Sequence, residues 1–151
     1  MSAAEERSLR RRVLVVDDDP EIVTFLATLL ELEGIDSTVA TSAAAALEKL
    51  EHAVPNLVLL DIAMPDRDGL DLCRALKKDP RTRDVPVFVV SARPGKDVVE
   101  RALAAGAEEF IRKPFENQEL IERIRVRLSA GWARGASPAR SCADARAGGV
   151  R

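Results

Sequence analysis

The chain has 151 residues, enough for one domain with a full core and short for two, with 46% hydrophobic and 32% charged residues and a formal net charge of -2. That balance describes an ordinary soluble globular protein and gives no reason to invoke nucleic acid, and the basic cluster Arg10, Arg11 and Arg12 reads as a solvated terminus. Cys73 and Cys142 match no metal spacing and make no disulfide framework, which fits a cytoplasmic location, and no apolar stretch has signal-peptide form or nears the roughly 20 residues of a membrane span.

After a polar segment over residues 1–11, Val13-Leu14-Val15-Val16 reads as a first strand that ends in Asp17-Asp18-Asp19-Pro20. Asp19 suits a helix cap and Pro20 the first turn; Ile22, Phe25, Leu26, Leu29 and Leu30 then recur at helical spacing until Gly34. Ile35 to Val39 is a weak second strand. Ser42 caps an alanine-rich second helix, to about Glu51, with Leu47 and Leu50 inward. Leu57-Val58-Leu59-Leu60 is a short apolar run between Pro55 and Pro65, as expected of a central parallel strand buried on both faces, and it delivers Asp61. The third helix runs from Leu70 to Lys78, with Leu72, Leu76 and Cys73 inward, Cys73 as a small core residue. The fourth strand, Val85 to Val90, runs into Ser91. The fourth helix, from about Lys96 to Ala105, offers Val98, Val99, Ala102 and Leu103 for packing and stops at Gly106. Phe110 to Arg112 is a fifth strand leading to Lys113-Pro114. The fifth helix, Asn117 to about Ala130, packs Leu120, Ile121, Ile124 and Leu128. Residues 131–151, rich in Gly, Ala, Ser and Arg, read as a disordered tail or linker, with Trp132 at its start either an anchor or an exposed position.

Five β-α units in succession dictate an α/β fold: a doubly wound, five-stranded parallel sheet with five helices, because parallel strands need crossover connections. In such a sheet the carboxyl edge is where ligands bind. There the first strand brings Asp17 and Asp18, the third Asp61, the fourth Ser91 and the fifth Lys113. Converging carboxylates repel one another unless a cation intervenes, and oxygen ligands with no His or Cys favour Mg2+. Lys113 and the Ser91 hydroxyl suit phosphoryl oxygens, and an Asp carboxylate in such surroundings is a nucleophile for phosphoryl transfer.

The segments Val15-Val16-Asp17-Asp18, Leu60-Asp61-Ile62-Ala63-Met64-Pro65, Asp68-Gly69, Ser91-Ala92, Ala105-Gly106-Ala107 and Lys113-Pro114-Phe115 closely resemble, in order and spacing, the receiver domain of bacterial two-component response regulators, which includes the chemotaxis regulator. The resemblance covers residues 12–130 and implies a flavodoxin-like receiver. It implies that Asp61 accepts phosphate from a histidine kinase or phosphotransfer protein, that Asp18 and Asp61 bind Mg2+ directly, that Asp17 acts through metal-bound water, and that the Ala63 carbonyl is a further ligand. By the same resemblance Ser91 and Lys113 bind the phosphoryl group, Ser91 and Phe110 form the switch, and the Lys113-Pro114 bond is cis. Ser91 stands where Thr is common and Phe110 where Tyr is frequent. Ala63 and Arg93 occupy the family's two positions that govern hydrolysis, which implies a phosphorylated state of intermediate to long life.

A flavin-binding protein of this architecture would need a Ser/Thr/Gly-rich phosphate loop in place of Asp17-Asp18-Asp19-Pro20, and an Asp-based hydrolase would need a general acid where Ala63 stands. The expectation is therefore a phosphorylation-activated signalling switch that catalyses only its own phosphorylation and dephosphorylation, contacts no nucleic acid or membrane directly, and signals through the face of the fourth helix, fifth strand and fifth helix to a downstream protein. The alternative is a detached receiver whose DNA-binding or enzymatic output domain is missing. Glu108 and Glu109 with Arg123 and Arg127 suggest a phosphorylation-enhanced homodimer in which acid meets base across a twofold axis.

Overall fold

The computed structural model of the protein describes residues 12–62, 69–92 and 96–131; Ala63, Arg93, the polar segment over residues 1–11, Trp132, Cys142 and the tail lie outside the described residues. Five strands, β1 (Arg12–Val16), β2 (Asp36–Ala40), β3 (Leu57–Leu60), β4 (Val87–Ser91) and β5 (Glu109–Arg112), form one parallel sheet in the order β2-β1-β3-β4-β5. Helices α1 (Pro20–Leu32), α2 (Ala43–His52), α3 (Gly69–Lys78), α4 (Lys96–Ala104) and α5 (Asn117–Gly131) alternate with the strands.

Alternation along each strand divides the core into two layers. Val13 and Val15 of β1 and Leu57 and Leu59 of β3 pack with Val23, Leu26 and Leu30 of α1 and Leu120, Ile121, Ile124 and Leu128 of α5. Leu14 and Val16 with Val58 and Leu60 face the other way, against Ala43, Ala46 and Leu50 of α2 and Leu72, Cys73 and Leu76 of α3, with Val98 and Ala102 of α4. All four β3 residues are buried, as a central strand requires, and each contributes on the order of 1.5 to 3 kcal/mol of apolar burial.

The caps are as read: Asp19 accepts from the Glu21 amide and Ser42 from the Ala45 amide, both at 3.0 Å. Gly34 and Gly106 take φ of 78° and 111° beyond α1 and α4, a backbone region that other residues enter only with strain. The Lys113–Pro114 bond is cis. Some expectations need correction. β2 begins at Asp36 rather than Ile35, and β4 begins at Val87 and extends to Ser91. Phe25 is 45% exposed and Val23 takes the core position, since Val23, Leu26 and Leu30 share one face of the helix and Phe25 lies two residues, about 200°, from Val23. Leu103 is 47% exposed because α4 buries the line through Val98 and Ala102.

Candidate phosphoacceptor and metal site

Backbone bonds fix the carboxyl edge before any side chain acts. The Asp17 amide donates to the Ala40 carbonyl at 3.1 Å and the Asp61 amide to the Val16 carbonyl at 2.9 Å, so the ends of β2, β1 and β3 are tied in sequence. The Lys113 amide donates to the Ser91 carbonyl at 2.9 Å, which ties β4 to the residue after β5. Asp17, Asp61, Ser91 and Lys113 are thereby placed by the sheet itself.

Side-chain oxygens of Asp17, Asp18 and Asp61 all lie within 4.8 Å of one another. Asp17 and Asp61 are 3% and 8% exposed, while Asp18 is exposed. The Lys113 ammonium donates to Asp17 Oδ2 at 2.8 Å and to Asp61 Oδ2 at 3.2 Å, bridging the ends of β1 and β3 with a positive charge. Burial disfavours its protonated form, but the hydrogen bond to Asp17 and the charges of Asp61 and Asp17 outweigh this and hold its pKa above the ordinary lysine value. Asp17 is held further by the Asp19 amide, which donates to its Oδ1 at 3.0 Å.

Ser91, wholly buried, ends β4 on the same sheet face as Val89, and Val89 lies opposite Phe110 in the β4–β5 register. Phe110 is partly buried against the core layer containing Val89. The structure thus brings together Asp17, Asp18, Asp61 and Lys113, with Ser91 bonded to Lys113 through the backbone and Phe110 on the neighbouring strand opposite Val89.

Two features are not apparent from the strand ends alone. Lys113 approaches Asp17 more closely than Asp61, and the third aspartate of the run, Asp19, serves as helix cap and as a clamp on Asp17. The two-residue step from Asp17 to Asp19 ahead of a proline is the pattern from which that turn could have been read. The acid and base expected to meet across a dimer also meet within one chain: Arg123 pairs with Glu109 at 2.6 Å and Arg127 with Glu108 at 2.7 Å.

The donor set fits a hard divalent cation: three clustered carboxylates, oxygen ligands only, on a rim open to solvent at Asp18. Among the described residues no helix is long and apolar enough to cross a membrane.

Comparison with known proteins places the fold in a family. Residues 13–125 match the response regulator receiver domain family. The DNA-binding response regulator MtrA of Mycolicibacterium smegmatis is 38% identical over 121 residues, covering 80% of this chain and 52% of that protein. The heme response regulator HssR of Staphylococcus aureus is 43% identical over 115 residues, covering 76% of this chain and 50% of its own length. The chain therefore spans about half the length of these curated relatives. Among solved structures, a CheY-like response regulator receiver domain protein from Methanospirillum hungatei superposes with a TM-score of 0.77 at 31% identity, over 82% of this chain and 97% of the other. The match over most of the sheet and all five strand ends shows that the chain belongs to the response regulator receiver domains of two-component systems.

Proposed function

We propose that this receiver is a phosphorylation-activated switch in which Asp61 takes a phosphoryl group from the phosphohistidine of a histidine kinase or phosphotransfer protein. The observation that carries this reading is the bridged carboxylate cluster: a nearly buried Asp61 at the end of the central strand, beside Asp17 and Asp18, with the Lys113 ammonium between them. An Asp61 carboxylate oxygen bonds to phosphorus as the phosphorus–nitrogen bond to the donor breaks, and the electron pair goes to the imidazole, which takes up a proton. Asp18 and Asp61, with Asp17 acting through water and the Ala63 carbonyl as a further ligand, would hold Mg2+, which supplies charge neutralisation of the phosphoryl oxygens. Lys113 offers a positive charge, and Ser91 a hydroxyl at the end of β4, for those same oxygens.

Phe25, exposed on the helix that starts at the site, offers the donor protein an apolar contact. On the output side, movement of Ser91 toward a phosphoryl oxygen lets Phe110 turn inward and reshapes the face of α4, β5 and α5. That face then meets a downstream protein or a second copy, and in the latter case Arg123 and Arg127 exchange their intrachain partners for those of the other chain. A second reading, the receiver part of a longer regulator with a DNA-binding or enzymatic output, is favoured by the half-length match to MtrA and HssR. The test is incubation with Mg2+ and phosphoramidate, a small phosphorus–nitrogen donor. Appearance of a hydroxylamine-sensitive acyl phosphate signal in phosphorus NMR is expected, and a hydroxylamine-resistant phosphoryl group would contradict the proposal.

A further inference from the structure

We infer that Gly69 is a positioning residue for the Asp61 carboxylate, holding the backbone that aims it at metal and phosphoryl donor; this rests on the reading of Asp61 given above. Gly69 opens α3, and its amide donates to the Ile62 carbonyl at 3.0 Å. A Cβ on Gly69 would stand 2.4 Å from Ile62 Cα, 2.8 Å from the Asp61 carbonyl oxygen and 3.1 Å from the Ile62 carbonyl carbon. Ordinary carbon–carbon contact is at about 3.5 to 4.0 Å, so a methyl group there sits roughly 1 Å too deep. All three neighbours are backbone, and no side chain can swing aside to make room. The position therefore requires glycine for close approach.

What yields is decided by the restraints on each side. α3 is anchored by Leu70, Leu72, Cys73 and Leu76, all buried. Asp61 and Ile62 lie past the end of β3, where the Asp61 amide bonds to Val16, its carboxylate accepts from Lys113, and the Ile62 side chain is buried. With α3 pinned by those four side chains, relief of the clash falls on the Asp61–Ile62 backbone, which bears the carboxylate. Around Asp61 the tolerances are small: its bond to Lys113 is already 3.2 Å, and the three carboxylates converge within 4.8 Å. Misplacement of a reacting group by about 1 Å is enough to cost on the order of a hundredfold in rate.

The experiment compares Gly69→Ala with Leu76→Ala in the full chain. Leu76→Ala weakens the core under the same helix at the end away from the site. Each variant is measured for thermal stability, for Mg2+ affinity by calorimetry, and for phosphorylation rate against acetyl phosphate concentration. Gly69→Ala is expected to weaken Mg2+ binding and lower the maximal rate by at least about tenfold each, with a smaller change in half-saturating acetyl phosphate. Leu76→Ala is expected to lose stability while keeping both site properties within about twofold. A Gly69→Ala protein that loses stability but keeps wild-type metal affinity and maximal rate overturns the inference. Should that variant fail to fold, Mg2+ titration of the wild-type amide resonances decides: Ile62 and Gly69 are expected to shift with the same midpoint as Asp61, and unmoved signals overturn the inference. Asp61→Asn is run alongside. Phosphorylation surviving in it refutes Asp61 as acceptor, whereas its loss together with a normal Gly69→Ala refutes the positioning role alone.

Discussion

Replacing Lys113 with Met separates two consequences of the same ammonium group. Lys113 is one-fifth exposed and bonded to two carboxylates that are 4% and 10% exposed at the side chain. Its removal deletes two charge-assisted hydrogen bonds and leaves Asp17, Asp18 and Asp61 without the Lys113 ammonium among them. Breaking a buried pair by removing one partner costs about 3 to 5 kcal/mol; with Asp18 open to water, the lower end, about 3 kcal/mol, is the reasonable expectation. For a domain of this size that is a fall in Tm of roughly 10 °C in metal-free buffer. The carboxylates that lose Lys113 are those proposed to bind Mg2+, so the variant should bind the metal more tightly. An advantage of about 1.4 kcal/mol is a tenfold lower Kd. Saturating Mg2+ should then restore more stability to Lys113→Met than it adds to the wild type. Differential scanning calorimetry across a Mg2+ series, with the Kd measured directly, checks both. A variant with wild-type Tm, or with unchanged or weaker Mg2+ binding, would refute the view of Lys113 as the counter-charge of this cluster.

Asp18→Ala should weaken Mg2+ binding by at least about tenfold and slow phosphorylation in parallel, because it removes a direct ligand; calorimetry showing unchanged affinity would exclude that role. The stabilisation from Lys113 should also have an alkaline limit. Its folded-state pKa lies above the unfolded value of 10.5, so its contribution is complete below that pH and is lost as pH rises through the higher folded value. Denaturant titrations of wild type and Lys113→Met should show a constant gap from pH 7 to about 10 that narrows only above it. Charge exchange of the exposed pair, Glu109→Arg with Arg123→Glu, should leave monomer stability within about 0.5 kcal/mol, since exposed ion pairs contribute little. In light scattering with beryllofluoride and Mg2+, the wild type should gain mass, and a monomer at high concentration would redirect the output to a heterologous partner.

The elements easiest to read in the sequence were those set by local chemistry. Four apolar residues between prolines favour a strand covered on both faces over a buried helix segment, and Asp19 and Ser42 carry their capping roles in their side chains. The site residues were legible because each stands at the end of an apolar run, where a parallel sheet gathers them. Helix phase was less so. Ile22, Phe25, Leu26, Leu29 and Leu30 span a stripe wider than the buried face, and only packing against β1 and β3 selects Val23 over Phe25. The preference of Lys113 for Asp17, the intrachain pairing of Arg123 and Arg127, and the approach of Gly69 to Ile62 depend on distances between elements far apart in the chain. Spacing along the sequence does not encode those distances.

The most direct test is the intact mass of the full chain after incubation with acetyl phosphate and Mg2+, followed by mapping of the modified residue. Wild type should gain one phosphoryl group, on Asp61, only when the divalent metal is present, and Asp61→Asn should gain none. Uptake by Asp61→Asn at the wild-type rate, or a phosphoryl group mapped to another residue, would contradict the assignment of Asp61 as the phosphoacceptor.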